Sequence, residues 1–322
     1  TPKPSSAASD VYKRQDLGYL TFGVILEQLG RQLCASPLFA SAYVGASAIN
    51  LGGNDDQKQR WLPGIVDGSE ILTLAVDEQA RHQRDAIVCK ASASDGGFLL
   101  SGAKTFVPEG MSATTFVVAA KTDAGDIELF LVPANADGVS RTQMDTVDKR
   151  DHARVTLTNV ALPTEAHLAG MPSGELYEQV LNRACAGVAM EMLGVGCYSF
   201  EMPLDYLKTR KQFGKLIGSF QALGHRAAEL YSAQEMARSC AEDGVIAIDK
   251  GADDQAAMSA LSKAKTGEFL FDMSNQLIQI HGGIGMTDDF DAGFYLKRAR
   301  SLEALYGNQA LHRDRYATLL GF

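Results

Sequence analysis

The chain has 322 residues, with 46% hydrophobic, 21% charged and 8% aromatic side chains, which excludes a disordered or low-complexity protein and allows a large buried core. Its 30 basic and 39 acidic residues give a formal net charge of −9, which argues against a nucleic-acid partner, because phosphates need a basic face. The five cysteines are scattered, odd in number and never spaced Cys-x-x-Cys, so neither a disulfide scaffold nor a metal site is expected, and a reducing cytoplasm fits best.

Residues 1–16 read as a disordered or artefactual tail, rich in Pro, Ser and Ala. Residues 17–68 read as an N-terminal helical domain, incomplete because it starts abruptly at Leu17. The stretch from Leu17 to Leu29 contains Glu27 and is too short to cross a bilayer, so no membrane span is expected. Leu20, Val24, Ile25 and Leu29 share one helical face, with Gly30 and Pro37 as punctuation. Leu38–Leu51 reads as a second helix, and Asn54 as the cap of a third that closes at Pro63-Gly64.

Residues 69–170 change character. Short apolar runs at Ile71–Val76, Ala86–Ala91, Gly97–Leu100, Phe116–Ala120, Ile127–Val132 and Arg154–Val160 are separated by turn signals such as Ser94-Asp95-Gly96-Gly97. This pattern predicts an antiparallel barrel or sandwich. From 171 to 322 the chain is helical again, with long segments Leu176–Thr209, Ser219–Lys250 and Asp254–His281 that point to a bundle. Pro203 lies inside the first of them, where its ring should kink the helix.

Motifs for hydrolysis are absent: there is no His-Glu-x-x-His, no Gly-x-Ser-x-Gly and no Cys-His pair at a useful spacing. Each of the six histidines reads more readily as structural than as catalytic. Gly282-Gly283-Ile284-Gly285 reads either as a phosphate loop or as a helix stop, since no strand precedes it. Lys208, Arg210, Lys211 and Lys215 read as a solvated face, yet Arg210 beside Gly214 is also shaped to grip a pyrophosphate.

Two of these stretches together resemble the acyl-CoA dehydrogenases. One is Tyr206-Leu207-Lys208-Thr209-Arg210-Lys211-Gln212-Phe213-Gly214 with Ile217, Phe220-Gln221 and His225; the other is Gln279-Ile280-His281-Gly282-Gly283-Ile284-Gly285-Met286-Thr287. The α–β–α layout is similar too. The resemblance implies an α+β multidomain fold with a truncated N-terminal helical domain, a middle β-barrel or sandwich and a four-helix-bundle-like C-terminal domain. It also implies FAD at a subunit interface, an acyl-CoA substrate oxidised between Cα and Cβ, and an electron-transfer flavoprotein as acceptor. Such chemistry needs a carboxylate to take the α-proton, a flavin to take the β-hydride and donors to polarise the thioester.

By the same resemblance, Arg210, Gln212, Phe213, Gln279 and Gly283 match the residues that reach the FAD of a neighbouring subunit. The β-domain contacts do not match. The family's Thr-Glu-Pro-x-Ala-Gly-Ser-Asp run is replaced by Val76-Asp77-Glu78-Gln79-Ala80-Arg81-His82-Gln83-Arg84-Asp85, and its Lys-x-Trp-Ile-Thr-Asn-Gly by Lys104-Thr105-Phe106-Val107-Pro108-Glu109-Gly110. The family's Tyr-Glu-Gly-Thr run becomes Leu305-Tyr306-Gly307-Asn308, so the position after the Tyr holds Gly307 instead of the base. The helix position that supplies a Glu in other members falls near Lys250. A shifted register leaves Asp249 or Glu303 as substitutes, and both read equally as solvated helix carboxylates. The family's Arg near Arg183 aligns at Cys185.

What is kept serves a neighbour, and what is lost serves the chain itself. The expectation is therefore a small subunit, like those of two-gene members acting on dicarboxylic or steroid side-chain CoA esters, which completes the FAD site of a catalytic large subunit. The alternatives are a self-sufficient homo-oligomer using Asp249 or Glu303, a flavin monooxygenase on the same fold, and a non-catalytic scaffold.

Overall fold

The computed structural model describes residues 18–322; the stretch read as a tail lies outside them. In chain order come helix α1 (Tyr19–Arg31), a π-helical segment (Leu38–Gly45) and helices α2 (Ala46–Gly52) and α3 (Asp55–Asp67). Seven strands follow: β1 (Leu72–Ala75), β2 (Lys90–Ser94), β3 (Gly97–Pro108), β4 (Thr115–Thr122), β5 (Ile127–Pro133), β6 (Val139–Gln143) and β7 (His152–Pro163). The rest is helix α4 (Glu175–Thr209), a small hairpin of β8 (Lys211–Gln212) and β9 (Lys215–Leu216), then α5 (Gln221–Asp249), α6 (Gln255–His281), α7 (Ala292–Ala304) and α8 (Gln309–Leu319). The chain forms two compact units, Ser36–Ala184 and Tyr19–Ala35 with Cys185–Phe322.

In the first unit, α3 starts as its sequence dictates. The Asn54 side chain accepts from the Gln57 N–H at 2.9 Å and the Gln57 side chain accepts from the Asn54 N–H at 2.7 Å, a reciprocal capping box. The helix does not close at Pro63-Gly64. It runs on to Asp67, because Pro63 forfeits a single hydrogen bond while buried Ile65 anchors the last turn and Gly68, at φ +79°, ends it. Nor is Leu38–Leu51 one regular helix, since its first eight residues are π-helical.

The sheet has the order β1-β4-β2-β3-β7-β6, with β5 on the other edge of β4. It departs from the antiparallel expectation. β4 pairs antiparallel with β5, but parallel with β1 through Leu72↔Thr115 to Ala75↔Val118, and parallel with β2 at Lys90↔Lys121. These partners are joined by long excursions and not by tight hairpins, which is the condition for parallel pairing. The strand expected at Ala86–Ala91 forms later, at β2, and the one at Gly97–Leu100 continues to Pro108 across two register shifts.

In the second unit, α1 ends at Arg31, one residue past Gly30, as the glycine predicts. A Cβ on Gly30 would lie 2.3 Å from the Glu191 carbonyl oxygen of α4, and one on Gly194 would lie 1.9 Å from that of Glu27. Each glycine lets the facing backbone approach, so Gly30 also serves packing where the helix ends. Carboxylates beside this seam are paired, Glu27 with Arg238 at 3.1 Å and Glu191 with Arg298 at 2.6 Å. α4 passes Pro203 as one continuous helix of 35 residues. It is the one described helix long and apolar enough to resemble a membrane span, and its apolar window is wholly buried inside the protein.

Candidate functional site

α4 ends at Thr209 and the chain turns straight into the β8–β9 hairpin, paired Lys211↔Leu216 and Gln212↔Lys215. The two-residue loop is Phe213-Gly214, with φ +53° and +77°, the positive-φ pair of a type I′ turn. A phenylalanine in that conformation costs roughly 1 kcal/mol or more. Phe213 is also 89% exposed. Strain and exposure at one residue mark a side chain held outward for something beyond its own core. Arg210 sits at the hairpin's base, its N–H donating to the Tyr206 carbonyl at 2.9 Å and its carbonyl accepting from Ile217 at 2.9 Å, with an exposed guanidinium.

The second motif caps α6. Gly282, at φ +62°, stops the helix, and a single 3-10 turn (Gly282–Met286) follows. Gln279 and Gly283 are exposed, and a Cβ on Gly283 would meet nothing within 4 Å. The structure joins the two motifs through rings. His281, 4% exposed, packs its ring at a tilt against Tyr206, centroids 4.6 Å apart, and against Phe290, centroids 4.4 Å apart. Its Nδ1 meets the Leu277 carbonyl at 2.8 Å, and burial lowers its pKa, so the ring is held neutral. Arg210, four residues after Tyr206, and Gln279, two before His281, thus extend from one ring cluster.

Asp249 has a structural task. Its carboxylate accepts from the N–H groups of Tyr19 at 2.6 Å and Leu20 at 2.9 Å, so it caps the start of α1 from the end of α5. Asp249→Ala is expected to remove about 1 kcal/mol of stability and to expose the amides of α1 to faster hydrogen exchange; exchange rates unchanged at Tyr19 and Leu20 would contradict this. Glu303 is partly exposed and lies 3.8 Å from Arg300. Gly307 is buried, at φ +102°, in the turn between α7 and α8.

That turn is held by a residue the sequence reading passed over. Lys263 is fully buried, and its Nζ donates to the carbonyls of Leu302 at 2.9 Å and Gly307 at 3.0 Å. Its position was legible: Ala260, Lys263, Gly267 and Leu270 recur at helical spacing on one buried face of α6.

In the first unit, the loop from Val76 to Asp85 is engaged with its own neighbours. The Glu78 carboxylate accepts from Val88 and Cys89 N–H groups and from Lys104 Nζ, at 2.7, 2.9 and 2.6 Å. Asp77 pairs with His82 at 2.5 Å, and its carbonyl accepts from Thr105 N–H at 2.7 Å. Arg84 grips Glu178 through two nitrogens at 2.7 Å each. Pro108 offers neither hydroxyl nor N–H, and Phe106 sits at φ +51° on a bulge of β3. Asp77, Glu78, His82 and Arg84 are thus engaged within the chain, while Gln79, Arg81, Gln83 and Asp85 are exposed.

Family models for the N-terminal, middle and C-terminal domains of acyl-CoA dehydrogenase match residues 8–69, 77–160 and 174–320. The chain belongs to the acyl-CoA dehydrogenase family. The first match opens at residue 8, inside the stretch read as a tail. The family's members are FAD-dependent oxidoreductases acting on CH–CH bonds. Acyl-CoA dehydrogenase FadE12 of Mycobacterium tuberculosis is 28% identical over 300 residues, 88% of this chain and 76% of that protein. A variant of the Tcur3481–Tcur3483 steroid ACAD is 31% identical, with a TM-score of 0.87 over 95% of this chain and 81% of that one. The ChsE4–ChsE5 complex from Mycobacterium tuberculosis is 25% identical, with a TM-score of 0.86 over 94% and 80%.

Proposed function

We propose that this acyl-CoA dehydrogenase-family chain is the non-catalytic subunit of a hetero-oligomer, completing the FAD site of a catalytic partner that supplies the proton-abstracting Glu. The observation that carries this reading is the contrast between two half-sites. Arg210, Gln212 and Phe213 stand exposed on a strained hairpin, and Gln279 and Gly283 stand exposed at the end of α6. These residues fit a dinucleotide: a guanidinium for phosphate, an amide for a polar edge and an open glycine for close approach. The loop at Asp77–Asp85 fits one less well, because the Asp77 and Glu78 carboxylates are already paired within the chain and Pro108 has no donor to give.

FAD, when bound, supplies the hydride acceptor. This chain's part is to grip it: Arg210 neutralises phosphate charge, Phe213 covers an apolar face, and the Tyr206–His281–Phe290 ring cluster ties the two motifs together. The two-protein make-up of the ChsE4–ChsE5 complex supports an assembly of this kind. The acyl-CoA thioester is then the substrate of the whole complex, an electron-transfer flavoprotein its electron acceptor, and the cytoplasm its place.

Arg210→Ala is expected to lower the FAD content of the purified complex several-fold without dissociating it, measured by flavin absorbance per complex after gel filtration. A complex that keeps its flavin would sink this assignment and leave a scaffold subunit.

A further inference from the structure

The turn between α7 and α8 carries information that the one-dimensional match to Tyr-Glu-Gly-Thr does not. Gly307 has φ +102°, a conformation that side chains rarely adopt. Asn308, at φ −83° and ψ 174°, is the N-cap of α8, its side chain accepting from the Leu311 N–H at 3.1 Å. Asn and Thr are both N-cap residues, and the Gly before the cap is required by the backbone. By geometry, then, Gly307-Asn308 corresponds to the Gly-Thr of the family run, and the residue before it corresponds to the Glu.

We propose that Tyr306, not Gly307, occupies the seat in which other members carry the base. This inference rests on the reading of the chain as a subunit without its own base. Tyr306 is 2% exposed and has φ +55°. Its carbonyl accepts from His312 Nε2 at 2.8 Å, which fixes that nitrogen as the protonated one, while Lys263 holds the next carbonyl from the other side. Two buried cationic or polar side chains from α6 and α8 thus keep the turn's shape although the carboxylate is gone. A phenol carrying its own proton, unlike a carboxylate, offers no anionic oxygen to take an α-proton.

Proximity labelling tests this. In Tyr306→Cys, the thiolate would displace bromide from C2 of 2-bromobutyryl-CoA, forming a C–S bond and releasing the thiol proton to solvent. The expected result is labelling at position 306 at least about tenfold faster than by 2-bromobutyramide, because the CoA tether raises the effective concentration. Gly307→Cys should show no such enhancement, and peptide mass mapping separates both from the native cysteines. Enhancement in Gly307→Cys, or in neither variant with both folded by circular dichroism, overturns the proposal. Should Tyr306→Cys not fold, Tyr306→His presents a larger nucleophilic ring to the same probe under the same criterion. The labelling needs neither flavin nor partner, so its failure leaves the Arg210 result standing, and the reverse holds.

Discussion

Glu78→Ala is expected to destabilise the first unit by about 3–5 kcal/mol, the cost of stranding one member of a buried ion pair. Lys104 is wholly buried, and without Glu78 its ammonium keeps only the Val76 carbonyl at 3.1 Å. The same change orphans the N–H groups of Val88 and Cys89, which lose their acceptors at 2.7 and 2.9 Å. Thermal unfolding should fall by on the order of 10 °C. Lys104→Met alone should cost less, because the Glu78 carboxylate keeps two amide donors. The double substitution Glu78→Ala with Lys104→Met should recover part of the loss, because no ammonium is left stranded, although the Val88 and Cys89 N–H groups stay without acceptors. A double-mutant cycle showing no coupling would mean that the pair does not hold the loop. The outcome bears on function, because this pair is what gives the loop a fixed shape turned to its own neighbours. An additive cycle would reopen the loop as a flavin contact.

Helices were legible where periodicity and caps agreed. Asn54 with Gln57 announced α3, and the apolar faces of α4, α5 and α6 announced three long helices within a few residues of their ends. Breakers misled where tertiary contact outweighed propensity: Pro63-Gly64 reads as a stop, but α3 runs on to Asp67 with Ile65 buried. Strand β6, Val-Ser-Arg-Thr-Gln, is half exposed and nearly without apolar residues, so alternation gave no signal. Parallel pairing around β4 was hidden because a strand buried on both faces reads the same in either direction. For the candidate site, the motif around Arg210 and that around Gln279 were visible as separate runs. Their junction through Tyr206 and His281, and the φ values that set the register at Gly307, exist only in three dimensions.

Lys263 provides the other large expected effect, and it is a pH effect. Burial pushes the Lys263 ammonium down from the ordinary 10.5 to about 8, with Cys185 and Glu303 opposing the shift weakly. Below pH 8 the folded and unfolded chains both hold this proton, and the folded chain bears the cost of a buried charge. Between pH 8 and 10.5 the unfolded chain binds more protons than the folded one, so this group's contribution to stability rises with pH. The rise should total about 3 kcal/mol across that window. Lys263→Met lacks the titration but leaves the Leu302 and Gly307 carbonyls unsatisfied, at roughly 1–3 kcal/mol each. The stability of the unmodified chain minus that of Lys263→Met, from urea unfolding at several pH values, should therefore climb from pH 8 toward 10.5. Parallel curves would show that the amine titrates alike in both states, and that the turn carrying Tyr306 and Gly307 is held without the cost of a buried ammonium.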